Sequence, residues 1–162
     1  MIQEKINNPL LESMTWQQFF EAYRPEGLIL QYMKVDNVYK SVRDKRLSLA
    51  DINAHYGECF HRERKFDFGI LYIYEWLLYL NSVSNINKPL PAKSMEQLSL
   101  ILYTKYYLFY LSDFKLVLEG ILESKYGKFY GSVDSQLIMS AFKEYSESRK
   151  VAIAKIKSRS IH

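Results

Sequence analysis

The sequence contains few of the residues that interrupt helices or cross-link a chain. Its 162 residues include six glycines, four prolines and one cysteine, Cys59. So few glycines and prolines favour helices over a sandwich of short strands and turns. A single cysteine excludes an internal disulfide, so we expect a protein of the reducing cytoplasm.

A long hydrophobic run is also missing. The longest, Phe68 to Leu80, is interrupted by Glu75 and falls short of the roughly 18 to 20 residues of a membrane span. The first residues include Glu4 and lack the basic start of a signal peptide. We therefore expect no membrane partner and interpret the run as a buried helix, with Glu75 at its rim or paired with a basic side chain.

The motifs of common enzymes are absent as well. The sequence has no Gly-x-Ser-x-Gly, no phosphate-binding loop ending in Gly-Lys-Ser/Thr and no dinucleotide fingerprint. Its carboxylates follow no catalytic spacing and fit helix caps or a solvated surface. The sequence therefore predicts a non-enzymatic protein without a cofactor.

Aromatic side chains and a localised positive charge are what the sequence does have. Aromatics make up 15% of the residues, with fourteen tyrosines, and the net charge is +4. Residues 1–142 carry sixteen basic and sixteen acidic residues, whereas the last twenty carry six and two. The excess therefore lies at the C-terminus, where it fits either an acidic partner such as nucleic acid or the dipole of a final helix.

Caps and breakers predict an all-α, single-domain bundle of about seven helices. Residues 1–14 form an arm, 15–158 the helical domain and 159–162 a tail, and the Asn- and Pro-containing linker 81–93 could join two halves. N-terminal caps are expected at Thr15, Ser48, Ser94, Ser112–Asp113 and Ser132 or Asp134. Pro25–Gly27 is expected to be a turn, 28–46 one helix, 59–65 a polar connection and 66–83 the central helix.

The stretch Lys125–Gly131, Lys-Tyr-Gly-Lys-Phe-Tyr-Gly, is the most unusual part of the sequence. Its glycines allow positive φ, and Gly127 stands where a helix C-cap is expected. Aromatic rings beside lysines, next to the free amides of a helix N-terminus, could stack bases and hold phosphates. Alternatively, the rings fill the gap between two helices. The candidate partner-binding residues are Lys125, Lys128, Phe129, Tyr130, Arg149 and Lys150.

A metal site is a further hypothesis. His55, Cys59 and His61, with Glu63 as a fourth ligand, have spacings that zinc can accept. The paired Cys-x-x-Cys or second His pair of a structural zinc site is missing. A polar loop explains the same residues without a metal.

Several segments resemble a family of small uncharacterised proteins encoded by Bacteroidetes phages and mobile elements. The resemblance rests on Met14–Phe20 with Tyr23–Pro25, Lys65–Ile70 with Trp76–Asn81, Tyr106–Leu108 with Leu111–Lys115, and Lys125–Gly131 with Asp134 and Tyr145. It implies a cytoplasmic accessory protein of a mobile element, with a role in DNA replication, and it brings no catalytic residues.

Three functions follow as hypotheses. The first is a binding module for nucleic acid or a replication protein, acting through the basic C-terminal half. The second is a structural subunit that self-associates through its Tyr-rich helices. The third is a metal-dependent enzyme.

Overall fold

The computed structural model describes residues 8–161, with side chains through residue 160. These residues form nine helices, where about seven were predicted, and one two-stranded hairpin. The elements are α1 (Pro9–Glu12), α2 (Trp16–Tyr23), α3 (Pro25–Gln31), α4 (Val38–Arg43), α5 (Leu49–Tyr56), β1 (Glu58–His61), β2 (Arg64–Asp67), α6 (Phe68–Val83), α7 (Ala92–Tyr106), α8 (Leu111–Leu122) and α9 (Ser135–Ile161).

The hairpin corrects the prediction of an all-α fold. The segment expected to be a polar connection pairs in antiparallel fashion, with Cys59 opposite Phe66. Arg62 and Glu63 form the turn with φ of 50° and 64°. A two-residue turn with both φ positive normally shows Asn-Gly, so this one leaves no such signal in the sequence. The central helix consequently begins at Phe68 and not at residue 66.

The predicted helix 28–46 is wrong, because the chain forms two short helices there. Pro25 is the first residue of α3, a position where its missing N–H costs no hydrogen bond. After a break, Asn37 caps α4 by accepting a hydrogen bond from the Lys40 N–H at 2.9 Å. Residues 25–27 therefore begin a helix, although they do end α2 as predicted.

Three predicted caps are confirmed. Thr15 and Gln18 form a reciprocal capping box, as do Ser48 and Asp51. Asp134 accepts a hydrogen bond from the Gln136 N–H at 2.9 Å, at the start of α9.

Two predicted caps are wrong. Helix α7 begins at Ala92, directly after Pro91, so Ser94 lies inside it. Helix α8 begins at Leu111, and Asp113 lies in its first turn instead of preceding it. In both cases the predicted capping residue lies in the first turn of the helix. A Ser or Asp there gives nearly the same sequence pattern as one at the N-cap, so the predicted start is displaced by a few residues.

Helix α6 lies at the centre of one continuous core. Phe68, Tyr72 and Trp76 are fully buried on it, and Trp76 packs edge-on against Phe142 of α9 at 5.3 Å between ring centroids. The core includes residues from both sides of the predicted linker, where the Asn81 side chain bonds the backbone of Leu90 in both directions. No helix among residues 8–161 is long and apolar enough to cross a membrane.

The ends of the described chain are ordered into helices. Leu11 of α1 lies in the segment predicted to be an arm, yet its side chain is fully buried in the core. Helix α9 continues to Ile161, through most of the segment predicted to be a tail. An apolar anchor at one end and continued helix at the other explain both differences.

Candidate functional site

The loop between α8 and α9 starts with a helix C-cap built on a serine. Ser124 has φ of 62°, and the Lys125 N–H donates to the Gly120 carbonyl at 2.9 Å. The Ser124 N–H donates to the Ile121 carbonyl at 3.1 Å, which completes a Schellman motif. The prediction that Gly127 would be the C-cap is therefore wrong, because the helix ends earlier.

Both glycines of the loop do adopt positive φ, as predicted. Gly127 has φ of 115° and Gly131 has φ of 77°. Gly127 also lies against Leu137, whose Cδ1 atom would be 3.4 Å from an added Cβ. The segment Lys125–Gly131, which we call the aromatic loop, is thus bent at both glycines.

The three rings of the aromatic loop have different environments. The Tyr126 ring is half-buried against Gly120 of α8, and Phe129 is half-buried against the core. Tyr130 is 86% exposed. Tyr126 and Phe129 therefore anchor the loop, as the gap-filling interpretation expects, while Tyr130 is left on the surface.

The lysines of the loop are exposed and available. Lys125 Nζ lies 5.6 Å from the centroid of the Tyr126 ring. Within residues 8–160, neither Lys125 nor Lys128 has a carboxylate within salt-bridge distance. Lys88 lies close to the same loop, because its carbonyl accepts a hydrogen bond from the Val133 N–H at 2.8 Å. Lys88, Lys125 and Lys128 are all exposed.

The N-terminus of α9 is already occupied by a carboxylate. Asp134 accepts from the Gln136 N–H, so an incoming phosphate would have to compete with a built-in anion for these amides. The lysines and the Tyr130 ring are therefore better anchors for a ligand than the helix end.

Arg149, predicted to contact a partner, is instead part of a buried polar network. Its Nε donates to Asp113 Oδ2 at 2.9 Å, and the same oxygen accepts from the Tyr110 N–H at 2.7 Å. Asp113 Oδ1 accepts from the Ser41 hydroxyl at 2.7 Å and the Tyr145 hydroxyl at 2.5 Å. The carboxylate is fully buried and has four donors, so the network joins α4, α8 and α9.

Sequence reasoning missed this network, although one signal was present. Asp113 stands near the start of a segment that is rich in apolar residues, with Leu111 before it and Phe114 directly after it. A carboxylate at such a position requires partners, because burial of an unpaired charge is costly. The partners come from distant parts of the chain, so the sequence alone could not name them.

Lys150 and two further lysines of α9 are exposed. Lys143, Lys150 and Lys157 follow one another at seven-residue intervals, so they project from one side of the helix about 10 Å apart. Lys150 Nζ is 3.8 Å from Glu147, a loose pair in which both side chains are mostly exposed. The helix thus adds a row of positive charge beyond the loop.

An acidic cavity borders the aromatic loop on one side. It has a volume of about 400 Å³ and lies between α4, α8 and α9. Its charged lining residues are Asp36, Lys115, Glu119, Glu123, Lys125 and Glu144. At its wall the buried Lys115 Nζ donates to the Val35 carbonyl and pairs with Glu119 at 2.7 Å. The carboxylates make this side of the loop unfavourable for a phosphate.

The metal hypothesis finds no support in the geometry. Among residues 8–160, no three His, Cys, Asp or Glu side chains are grouped so as to hold an ion. Cys59 Sγ faces the Phe66 carbonyl at 3.4 Å, and burial raises the thiol pKa to about 11. His61 Nε2 lies 3.3 Å from Glu75 and His55 packs edge-on against Tyr56. Glu75 therefore lies beside a basic side chain, as its sequence position suggested.

The comparisons concern mainly the second half of the chain. Residues 89–161 match the model of DUF6633, a family of unknown function. The matched region contains α7, α8, the aromatic loop and α9. The similarity is therefore to an uncharacterised family, as the resemblance had implied. No curated protein and no solved structure matches the chain.

Proposed function

We propose that the protein is a non-enzymatic accessory module of a phage or mobile element that binds single-stranded nucleic acid on the aromatic loop. The observation that carries this proposal is the exposure of Tyr130, 86%, on a loop whose other two rings are anchored. A large aromatic ring held in solvent loses the benefit of burial, which a stacked base would restore. The resemblance described above supports the setting in DNA replication.

Tyr130 would supply a stacking platform and the lysines would supply phosphate contacts. Stacking of one base on an aromatic side chain contributes about 1–3 kcal/mol and tolerates any base. Lys128 is in the loop itself, and Lys88 lies near its end, since its carbonyl accepts a hydrogen bond from the Val133 N–H. Lys125 lines the acidic cavity and would therefore act on the phosphates only at longer range. Since Phe129 is packed against the core, we assign it to anchoring.

The charges around the aromatic loop favour one side of it as the path of the nucleic-acid strand. The acidic cavity lies beside Tyr126 and Glu144, where phosphates would be repelled. Lys88 and Lys128 lack acidic partners within residues 8–160. The strand would therefore pass Tyr130 on the Lys88 side, and the exposed Lys143, Lys150 and Lys157 would strengthen the attraction at longer range.

Fluorescence anisotropy of a labelled oligothymidylate at low salt tests this proposal. We expect wild-type protein to bind, Lys125→Glu/Lys128→Glu to weaken binding at least about tenfold, and Tyr130→Ala to weaken it while Tyr130→Phe does not. Lys34→Glu/Lys65→Glu is the matched control, because both lysines are exposed and lie outside the loop. Absence of binding by folded wild-type protein at low salt would overturn the proposal.

A replication protein with an acidic surface is an alternative partner for the same lysines. The double Lys→Glu variant would also weaken binding of such a partner. A contact made of salt bridges, however, does not require an aromatic ring at position 130. Loss of affinity in Tyr130→Ala with recovery in Tyr130→Phe therefore distinguishes base stacking from a purely ionic protein contact.

Self-association is a second candidate function, supported by exposed apolar side chains on α7 and in the connection that follows it. Leu100, Ile101 and Leu108 are 53%, 44% and 57% exposed, and no charged residue lies between Glu96 and Lys105. Light scattering across a wide concentration range tests it: an Ile101→Glu variant should remain monomeric at concentrations where the wild type dimerises. A wild type that is monomeric throughout would exclude this candidate.

A further inference from the structure

A second cavity lies between α1, α2 and the segment 44–47, and most of its lining residues come from the first third of the chain. Its volume is about 390 Å³, within the range of about 300–1,000 Å³ common for small-molecule sites. We call it the Tyr23/Tyr32 cavity. No part of the proposed nucleic-acid surface lines it.

One wall of the Tyr23/Tyr32 cavity is a series of aromatic rings. Phe19 and Tyr23 are stacked with centroids 4.6 Å apart, and Tyr32 follows at 6.4 Å from Tyr23. Aliphatic side chains complete the lining, among them Leu10, Leu47, Ile52 and Leu111. A flat apolar ring could pack against this wall in the offset geometry that aromatic pairs prefer.

The polar groups of the cavity are mostly hydrogen-bond donors. The hydroxyls of Tyr23 and Tyr32 form no hydrogen bond within the described residues 8–160. The pKa of Tyr32 is raised to about 12, first by burial and then by the neighbouring Tyr23. Because its pKa is far above 7, Tyr32 is a protonated donor at neutral pH. The neighbouring Tyr23 supplies a second phenol, 6.4 Å away between ring centroids.

Positive charge lies at the mouth of the cavity. The Arg46 guanidinium is 5.7 Å from the centroid of the Tyr32 ring and is held by the carbonyls of Lys40 and Ser41. Lys45 is exposed and has no carboxylate within salt-bridge distance among residues 8–160. Asp44 is on the same rim, but Arg43 and Arg46 neutralise it. The local charge is therefore positive.

We propose that the Tyr23/Tyr32 cavity binds a small planar ring that carries an anionic group. The ring packs against Tyr23 and Tyr32, and the anionic group faces Lys45, with the phenols donating to its acceptor atoms. This site is independent of the proposed nucleic-acid function, since it uses other residues and other elements. Two kinds of molecule share the required chemistry: a free nucleotide and an aromatic carboxylate.

Titrations followed by protein NMR test the proposal with adenosine 5′-monophosphate and 1-naphthoate as probes. We expect saturable shifts around Tyr23, Tyr32 and Lys45 with a Kd below roughly 1 mM for at least one probe. Adenosine and ribose 5-phosphate, the two halves of the nucleotide, should each bind at least about tenfold more weakly than the nucleotide if it is the ligand. Binding of only one probe identifies which kind of molecule fits. If neither probe gives saturable shifts at these residues, the proposal is wrong.

Variants separate binding at this cavity from general attraction to a basic protein. Lys45→Gln removes the charge at the mouth and should weaken binding about fivefold, and Tyr32→Phe should weaken it by a smaller factor. Lys65→Gln and Tyr107→Phe are the matched controls, because they make the same changes at exposed positions outside this cavity and outside the aromatic loop. Equal losses in Lys45→Gln and Lys65→Gln would contradict the proposal. Melting curves check that each variant is folded.

Discussion

Arg149 and Asp113 form an ion pair that crosses from α9 to α8 inside the protein. Arg149 Nε lies 2.9 Å from Asp113 Oδ2, and the exposed fractions of the two side chains are 12% and 0%. The guanidinium also lies over the rings of Phe109 and Tyr110, at 5.1 Å and 5.0 Å from their centroids. Part of the C-terminal positive charge therefore belongs to the core, and less of it is available to a partner than the sequence implies.

Removing the cation of this pair should destabilise the protein strongly. Arg149→Met leaves the Asp113 carboxylate buried without its charge partner, which costs about 3–5 kcal/mol. Urea unfolding measures the loss, and a double-mutant cycle with Asp113→Asn should show that the two changes are not additive. Lys150→Ala is the control, because it breaks only an exposed pair worth at most about 1 kcal/mol. A similar small loss in both variants would contradict a structural role for Arg149.

Stability should fall at alkaline pH because of Tyr145. Burial, the nearby Asp113 carboxylate and the hydrogen bond to it raise its pKa well above the ordinary value of 10.0. Above pH 10 the unfolded chain loses the phenol proton while the folded chain keeps it, so folding becomes less favourable by about 1.4 kcal/mol per pH unit. The stabilising contribution is complete below that pH.

Tyr145→Phe should isolate this effect. The variant is less stable than the wild type at pH 7, because Asp113 loses a donor, but the difference should narrow as the pH rises above 10. Urea midpoints between pH 8 and pH 11 provide the measurement. The urea midpoint of Tyr130→Phe, a change at a position that is 86% exposed, should vary with pH in the same way as that of the wild type. A constant difference for Tyr145→Phe would refute the assignment.

Gly120 is required by the position of the Tyr126 ring. A Cβ at residue 120 would lie 2.5 Å from Tyr126 Cε2, so Gly120→Ala must displace the ring. We expect a loss of about 1 kcal/mol or more from overpacking, and increased exposure of Tyr126. In a Tyr126→Ala background the same change should stabilise α8 by about 0.5–1 kcal/mol, since alanine favours helix over glycine. The reversal of sign, measured by denaturant unfolding, is the critical result; losses of the same size in both backgrounds would count against the contact.

Replacement of Ser124 by glycine should stabilise the protein. It occupies the left-handed position of the α8 cap with φ of 62°, a conformation that costs a non-glycine residue about 1 kcal/mol. Ser124→Gly should therefore raise the free energy of unfolding slightly, by up to about 1 kcal/mol. Ser148→Gly, at an exposed position in the middle of α9, is the control and should lower it by a similar amount. Two losses would show that the cap geometry is not retained in solution.

Local chemistry was readable from the sequence wherever one short segment contains all of the interacting groups. The capping boxes at Thr15 and Ser48, the positive φ of Gly127 and Gly131, and the apolar central helix depend on neighbouring residues, so spacing predicts them. The hairpin 58–67 was missed for the converse reason, because its left-handed Arg62 and Glu63 contradict the usual preferences of a tight turn. The break between α3 and α4 was missed because periodicity continues across it.

Only the tertiary structure decided which of the candidate residues are exposed. Arg149 and Lys150 are adjacent and chemically similar, yet one is held by Asp113 and the other lies in solvent. Phe129 and Tyr130 are adjacent aromatics, yet one packs on the core and the other is exposed. The reason is that burial depends on contacts between elements distant in sequence, whereas the sequence determines only the chemistry that each residue brings. The sequence thus located the aromatic loop, and the packing of α8 against α9 left Lys125, Lys128 and Tyr130 as its exposed groups.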